Sequence, residues 1–258
     1  MTTELQGKVG IVTGGTSGIG RDTAVLFAKA GARVVVAGRR EVEGKETIEL
    51  IRAAGSEALF VKTDVSRAAE VQRLVQKTVE KFGRLDVAFN NAGIEGNWVP
   101  IAEQSEEDWD RVIDINLKGV WLSLKYEIQQ MLKQGGGGAI VNMSSVAGQM
   151  GSAGAATYCA SKHGVIGLTR SAALENARSG IRVNAVCPAV IETPMGERLF
   201  GAPEKNKFAL GLHPIGRFGT PMEVAEAVVW ILSSRASFMT GQSITLDGGL
   251  LAGPNPPQ

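Results

Sequence analysis

Tyr158 and Lys162 are the residues whose types and spacing point most directly to chemistry. On a helix, residues four apart share one face, so the Lys162 ammonium would lie about one turn from the Tyr158 hydroxyl. A neighbouring positive charge stabilises phenolate and lowers a tyrosine pKa that is otherwise about 10. The pair therefore predicts a tyrosine that exchanges protons, although a packed tyrosine beside a solvated lysine has the same spacing.

A glycine-rich turn near the start of the chain indicates a second function. It follows a short apolar run and precedes a helical pattern. At such a turn, backbone N–H groups and the positive end of the helix can approach a pyrophosphate. No lysine follows as in a G-x-x-x-x-G-K phosphate loop, so nucleoside triphosphate hydrolysis is not expected. The predicted cofactor contacts in this turn are Gly14, Thr16, Ser17, Gly18, Ile19 and Gly20.

Two arginines, Arg39 and Arg40, stand where the second predicted strand ends. An acidic residue about 20 positions after the glycine turn would bind the adenosine ribose, whereas arginine suits a 2′-phosphate. The pair therefore favours NADP(H) as the cofactor, with NAD(H) possible. A solvated pair at the start of a helix is the alternative interpretation.

Composition excludes several classes of function. The 258 residues include 27 basic and 26 acidic side chains and 44% hydrophobic residues. This balance predicts a globular protein that binds neither nucleic acid nor a membrane surface. No secretion-signal pattern or membrane-spanning apolar run is evident, so a cytoplasmic protein is expected. Cys159, Cys187, His163 and His213 show no metal-ligand spacing, and no metal is predicted.

Apolar, β-branched runs alternate with longer helical patterns along the whole chain. Buried strands separated by helices are typical of a parallel sheet that is covered on both faces. The sequence therefore predicts an α/β fold, a single-domain doubly wound (Rossmann-like) seven-stranded parallel sheet over residues 1–258. The predicted strands span residues 9–13, 33–37, 58–61, 85–89, 139–143, 182–187 and 243–246.

One long region, at about residues 190–220, shows no regular pattern but is rich in apolar side chains. Long loops inside compact domains often serve as covers or binding segments. We expect this segment to be a substrate loop that is mobile without ligand.

Taken together, these motifs resemble those of the short-chain dehydrogenase/reductase family, in its compact single-domain branch. The glycine turn matches the family's T-G-x-x-x-G-x-G, and residues 90–93 match its N-N-A-G. Asn116 matches its helix asparagine. Ser145 lies thirteen residues before Tyr158, the usual interval, which selects it over Ser144. The resemblance covers essentially the whole chain.

The resemblance implies a catalytic site of Asn116, Ser145, Tyr158 and Lys162. Tyr158 would be the general acid in ketone reduction or the base in alcohol oxidation, and Ser145 would bind the carbonyl oxygen. Lys162 would bind the nicotinamide ribose and lower the Tyr158 pKa, while Asn116 would help order a water-linked proton path. The implied activity is NAD(P)(H)-dependent interconversion of a ketone and a secondary alcohol.

The resemblance also implies further cofactor contacts. Asp64 and Val65 would meet the adenine, Asn90 would lie near the ribose, and Thr193 would meet the nicotinamide carboxamide or a phosphate. The family commonly has glycine at the position of Ala189. The remaining implied contacts are Asn91, Ala92, Gly93, Tyr158, Lys162, Pro188 and Ile191.

Ligands bind at the carboxyl ends of strands in open α/β sheets. The resemblance implies a small free ketone or alcohol as the substrate. The side chains expected to line its pocket suggest an apolar, moderately bulky compound; they are Ile94, Trp98, Ser145, Gln149, Met150, Met195 and Leu199.

Alternative functions remain open at this stage. They are a 3-oxoacyl-[acyl-carrier-protein] reductase and a non-catalytic nucleotide sensor of the same fold. Enoyl reductases of related architecture usually space their tyrosine and lysine farther apart. The resemblance further implies a homotetramer.

Overall fold

Seven parallel strands form one sheet within residues 3–253, the part of the chain that this computed structural model describes. Their spatial order is β3-β2-β1-β4-β5-β6-β7, so the chain winds outward from β1 in both directions. The predicted doubly wound parallel sheet is confirmed. The strands are β1 (Val9–Thr13), β2 (Arg33–Gly38), β3 (Ala58–Lys62), β4 (Val87–Asn90), β5 (Gly138–Met143), β6 (Ile181–Pro188) and β7 (Ser243–Leu246).

Helices connect successive strands. They are α1 (Gly18–Lys29), α2 (Glu41–Ala53), α3 (Ala68–Phe82), α4 (Glu106–Ile113), α5 (Gly119–Gln134), α6 (Ala156–Asn176), α7 (Pro194–Phe200), α8 (Pro203–Gly211) and α9 (Pro221–Leu232). Between α4 and α5 the backbone passes through one π-helical turn, Asp114–Lys118. Within residues 3–253, no helix combines the length and the apolar character needed to cross a bilayer.

The core lies on both faces of the sheet because strand side chains alternate. Val12 and Val34 pack on the face covered by α1, α2 and α9. Ile11 and Val35 pack on the opposite face, which α3, α5 and α6 cover. The five inner strands are buried on both faces, which explains their continuous apolar runs, whereas β3 and β7 at the edges are mostly half-buried.

The segment between β6 and α9 is not the irregular loop that the sequence predicts. It contains the short helices α7 and α8, each with proline at its first turn. Its two ends are tied together, since Ile191 pairs with Gly219 and the Glu192 N–H donates to the Gly219 carbonyl at 2.9 Å. The segment therefore leaves and re-enters the body at one point, beside the carboxyl ends of the strands.

Candidate active site

A cavity of about 510 Å³ opens at the carboxyl ends of the strands. The glycine turn forms one end, and α7 and α8 form the other. It brings together most of the predicted site residues: Gly14, Thr16, Ser17, Gly18, Ile19, Gly20, Arg39, Arg40, Asp64, Val65, Asn91, Ala92, Gly93, Ile94, Trp98, Ser145, Met150, Tyr158, Lys162, Pro188, Ile191, Thr193, Met195 and Leu199.

Tyr158 and Lys162 lie on α6 and both face this cavity. The Lys162 Nζ is 5.5 Å from the centroid of the Tyr158 ring and donates a hydrogen bond to the Met143 carbonyl at 2.9 Å. Burial raises the pKa of Tyr158 to about 12, against a hydrogen bond from Ser145 that lowers it. The lowering of this pKa by Lys162, expected from the sequence, is not found: Lys162 is not among the groups that shift it, and loss of water around the phenol is the largest cause.

Lys162 is itself almost fully buried. Burial lowers the pKa of its ammonium to about 8. The side chain is therefore still mainly cationic at pH 7.

Ser145 follows β5 and points toward Tyr158, with its hydroxyl 3.3 Å from the Pro188 carbonyl. The neighbouring Ser144 is buried and donates to the Lys162 carbonyl at 2.9 Å. The Ser144 proton is thus committed to the backbone of α6, whereas Ser145 lies beside Tyr158 with only a long hydrogen bond to Pro188.

Asn116 lies in the π-helical turn and is fully buried. Its side-chain oxygen accepts from the Ile94 N–H at 2.8 Å, and its Nδ2 donates to the Ile94 carbonyl at 2.9 Å. Nδ2 also lies 3.3 Å from the Ser161 hydroxyl. Asn116 does not line the cavity; it holds the backbone that follows β4 in place behind the catalytic pair.

The glycine turn forms a cradle that side chains would fill. A Cβ at Gly20 would lie 2.3 Å from the Gly14 carbonyl oxygen and 2.5 Å from the Asn91 Nδ2. Gly14 and Gly18 have φ of +65° and +51°, in the left-handed region that favours glycine. The first turn of α1 begins at the cavity, and the Ser17 side chain does not cap it. These uncapped N–H groups and the close backbone approach fit a pyrophosphate.

The two arginines at this end have different surroundings. Arg40 donates to the hydroxyls of Thr16 and Ser17 at 2.8 and 2.7 Å and lies 3.3 Å from Glu43. Arg39 has no hydrogen-bond or ion-pair partner among residues 3–253, yet it lines the cavity. Two guanidinium groups beside the glycine turn fit an additional phosphate.

Asp64 and Val65 lie beside these arginines on the loop after β3. Burial raises the pKa of Asp64, but hydrogen bonds from the N–H and hydroxyl of Ser66, together with the charges of Arg39 and Arg67, outweigh it, so the pKa lies below its usual value. Thr193 caps α7 and packs against the glycine turn, because a Cβ at Gly18 would lie 3.2 Å from its methyl group. Ala189 adopts an ordinary backbone conformation, since positive φ is confined to glycines within residues 3–253.

Two expectations from the sequence are corrected by the geometry. Gln149 does not line the cavity; it is exposed and accepts a hydrogen bond from Thr245 at 2.9 Å. Asn90, expected near the ribose, does not line the cavity either. It is buried, and its Nδ2 donates to Glu127 and Asn142, both at 3.0 Å.

Sequence analysis missed the residues that complete the substrate end of the cavity. Glu95, on the loop after β4, and Arg198, on α7, form a bidentate ion pair with N–O distances of 2.7 and 3.3 Å. Phe200 packs edge-to-face on Trp98, with ring centroids 5.8 Å apart. No local spacing could reveal contacts between positions about a hundred residues apart. The apolar character of the long segment was the only available signal.

Comparison with known proteins identifies relatives over almost the whole chain. A family model described as enoyl-(acyl carrier protein) reductase matches residues 14–251. The short chain dehydrogenase/reductase astE of Aspergillus oryzae is 48% identical over 250 residues, covering 95% of each chain. The 3-oxoacyl-[acyl-carrier-protein] reductase FabG of Thermotoga maritima is 45% identical, covering 96% of this chain and 99% of that one. The cyclohexanol dehydrogenase of an Acinetobacter species is 44% identical, covering 96% of each.

Solved structures share the architecture as well. The crystal structure of levodione reductase superposes with a TM-score of 0.92 at 38% identity, covering 96% of this chain and 99% of that one. Similarity in sequence, fold and length thus agrees with the arrangement of Ser145, Tyr158 and Lys162 at the cavity. The chain belongs to the short-chain dehydrogenase/reductase family and is an oxidoreductase that acts on CH–OH or C=O groups.

Proposed function

We propose that this enzyme interconverts a small, apolar ketone and its secondary alcohol with NADP(H). One observation carries the proposal. Tyr158, Ser145 and Lys162 face the middle of one cavity, between a cradle that fits a dinucleotide and an end lined mainly by apolar side chains. Relatives named cyclohexanol dehydrogenase and levodione reductase support an alcohol or ketone as the substrate.

In this proposal Tyr158 is the proton donor for reduction. With a pKa of about 12, its phenol is protonated at pH 7 and can donate to the carbonyl oxygen. Ser145, beside that phenol, would turn its one hydroxyl proton from the Pro188 carbonyl to the same oxygen and stabilise its developing negative charge. The cofactor, when bound, supplies the hydride for reduction or accepts it in oxidation.

Lys162 and Asn116 have supporting roles. The Lys162 ammonium, held by the Met143 carbonyl, is placed to bind a ribose hydroxyl and to stabilise negative charge on Tyr158. Asn116 positions the backbone at Ile94 through two hydrogen bonds. In a water-linked proton path, Asn116 would act by holding that backbone in position and would not contact the ligand itself.

NADP(H) is preferred over NAD(H) because of the charges at the adenosine end. Gly38, Arg39 and Arg40 line this part of the cavity, and the position that ends β2 carries no acidic side chain. Glycine at position 38 leaves no carboxylate to bind the ribose hydroxyls, while Arg39 remains available for a 2′-phosphate.

A 3-oxoacyl-[acyl-carrier-protein] reductase is the second candidate, because a relative 45% identical over 253 residues has that name. Both activities would use the same tyrosine and serine. They differ in whether the ketone must be delivered on an acidic carrier protein. The carrier would need a basic surface near the cavity mouth, and Lys205 and Lys207 on α8 are the exposed cations there to test.

The direct experiment is a substrate panel with both cofactors. We expect cyclic and acyclic ketones to be reduced with NADPH at a higher kcat/KM than with NADH. A 3-oxoacyl thioester on carrier protein and an enoyl thioester serve as competing substrates. A carrier-bound thioester preferred by orders of magnitude over every free ketone would replace the proposal with the second candidate.

A homotetramer and a cytoplasmic location are also part of the proposal. Trp121 on α5 and Leu174 on α6 are exposed apolar side chains on neighbouring helices, as at subunit interfaces. Cys159 and Cys187 are both free, in agreement with a reducing compartment.

Light scattering after size-exclusion chromatography should give four times the chain mass of 27.2 kDa. Leu174→Glu should lower the measured mass, whereas Val42→Glu, at an exposed apolar position on α2, should not. A monomer in the unaltered protein would contradict the tetramer. Cell fractionation tests the location.

A further inference from the structure

The substrate end of the cavity contains one isolated pair of opposite charges. Within residues 3–253, the charged side chains that line the cavity are Arg39, Arg40, Asp64, Lys162, Glu95 and Arg198. The first three lie at the nucleotide end, and Lys162 is held beside Tyr158. Glu95 and Arg198 are thus the charged groups among otherwise largely apolar side chains of the substrate end.

These two residues form a bidentate ion pair that occupies the Nε–Nη edge of the Arg198 guanidinium. The Arg198 Nε donates to one Glu95 carboxylate oxygen at 2.7 Å, and an Nη donates to the other at 3.3 Å. The Glu95 side chain is 20% exposed and that of Arg198 is 59% exposed. Burial raises the pKa of Glu95, but the hydrogen bond and charge of Arg198, a backbone hydrogen bond and the charge of Arg111 together outweigh it, so the pKa lies below its usual value. Glu95 is therefore ionised at pH 7.

The pair also lies close to the reaction centre. The Glu95 carboxylate is near enough to Tyr158 to contribute to its raised pKa. The neighbouring contact between Trp98 and Phe200 joins the same two segments and keeps the pair at the cavity wall. A ligand at the Tyr158 hydroxyl is thus within electrostatic reach of Glu95.

We propose that Glu95 and Arg198 determine the charge of the substrate that the cavity accepts. Paired, they select uncharged carbonyl compounds, because Glu95 repels a carboxylate and occupies the guanidinium that would bind it. If Glu95 is neutralised, Arg198 becomes a free cation that can bind a carboxylate bidentately. If Arg198 is neutralised, Glu95 becomes an unpaired anion and rejects carboxylates more strongly. This inference rests on the proposed function, since it specifies the substrate class of that same site.

The test compares two ketones of nearly equal shape, 4-oxocyclohexanecarboxamide and 4-oxocyclohexanecarboxylate. The measured quantity is the ratio of kcat/KM for the amide to that for the carboxylate, with NADPH. We expect the unaltered enzyme to prefer the amide. Glu95→Gln should lower the ratio about tenfold, and Arg198→Gln should raise it several-fold, which are the sizes expected for one partly screened charge.

Two charge-matched controls separate the proposal from a change in net charge. Glu204→Gln on α8 removes an exposed carboxylate from the same segment, and Arg217→Gln removes an exposed guanidinium; neither residue lines the cavity. Both should leave the ratio unchanged. Circular dichroism of each variant verifies folding, and the opposite shift in Arg198→Gln carries the test if Glu95→Gln does not fold.

Calorimetric titration of both ketones into protein saturated with NADP⁺ separates this inference from the proposed function. Binding selectivity without turnover by the unaltered protein would refute the proposed function and retain the inference. The inference is overturned if Glu95→Gln and Glu204→Gln give the same ratio, or if Arg198→Gln lowers the ratio as Glu95→Gln does. Failure of both ketones to bind would contradict both proposals.

Discussion

At pH 7 the Tyr158 phenol holds its proton, because burial raises its pKa to about 12. The protonated form is the one required to donate to a ketone oxygen, so the free protein is prepared for reduction at neutral pH. Alcohol oxidation requires the deprotonated form. Lys162, whose burial lowers its pKa to about 8, still carries most of its charge at pH 7.

Arg39 is the side chain on which the choice of cofactor should depend most. It lines the cavity without a partner among residues 3–253, whereas Thr16, Ser17 and Glu43 hold Arg40. We expect Arg39→Asp to raise the Kd of NADPH at least tenfold more than that of NADH, because a carboxylate repels the 2′-phosphate and binds ribose hydroxyls.

Fluorescence titration of both reduced cofactors measures this difference. Arg178→Asp, an identical charge change at an exposed position away from the cavity, is the control. Equal losses for both cofactors in Arg39→Asp would overturn the assignment, as would tighter binding of NADH by the unaltered protein.

A buried polar network lies behind the site, where β4 and β5 end. Asn90 donates to Glu127 on α5 and to Asn142 on β5, and Asn142 donates to Thr169 on α6 at 3.0 Å. Within the described residues the Asn90 side-chain oxygen has no hydrogen-bond partner. Burial raises the pKa of Glu127 from 4.5 to about 7, against the lowering by Asn90.

Glu127 therefore predicts a pH-dependent loss of stability. Between about pH 4.5 and 7 the folded protein keeps a proton that the unfolded chain has released, so this group lowers the free energy of unfolding as the pH rises. By pH 8 the loss relative to pH 4.5 should approach about 3 kcal/mol. Glu127→Gln removes this dependence and should be more stable than the unaltered protein above pH 7.

The measurement is the difference in unfolding free energy between the two proteins, from guanidinium titrations at pH 5 and pH 8 and one protein concentration. Glu46→Gln, at an exposed position on α2, is the control. A difference for Glu127→Gln that stays constant between the two pH values would show that the carboxyl is ionised throughout.

Among the elements, α7 and α8 are the least anchored parts of the site. α7 has no buried residue, and Ala209 is the buried residue of α8. At their ends the segment is fixed by the Ile191–Gly219 pair, and His213 is buried near its return. Short helices with few buried contacts open easily, so their closure can depend on a ligand.

We therefore expect amide protection in α7 and α8 to rise when NADP⁺ and an alcohol bind together. Residues 191–219 should exchange quickly in the free protein, because α7 and α8 have few buried contacts. A bound ligand would supply contacts for them and slow the exchange. Hydrogen exchange with mass spectrometry tests this, with α9 as an internal reference that should not change. Strong protection of α7 in the free protein, unaltered by ligand, would make the segment a fixed structural element.

The strands were predictable because each is a short run rich in apolar or β-branched side chains, and the inner ones are buried on both faces. The residues at which the strands begin and end were less predictable. The predicted fourth strand begins at Leu85, but β4 begins at Val87, because the Gln134 side chain bonds both the N–H and the carbonyl of Leu85 in place of a neighbouring strand. α7 and α8 were missed because each is under ten residues, too short to show a helical apolar period.

For the molecule as a whole, the sequence predicts which catalytic residues meet but not what surrounds them. Tyr158 and Lys162 are four residues apart on one helix, so their spacing is visible in the chain. Glu95 and Arg198 meet only because α7 folds back over the loop after β4. The raised pKa of Tyr158 likewise follows from burial, which spacing alone does not reveal.

The central claim is that Tyr158 transfers the proton while contributing little to cofactor binding. The most direct measurement is kcat for ketone reduction in Tyr158→Phe, together with the Kd of NADPH in the same protein. Turnover should fall by about 10²- to 10⁴-fold with the Kd nearly unchanged, because only the phenol hydroxyl is lost. Tyr126→Phe, which alters the other tyrosine of the chain, should retain full turnover. A Tyr158→Phe enzyme that keeps more than half of the original kcat, with hydride transfer shown to limit the rate, would contradict the account.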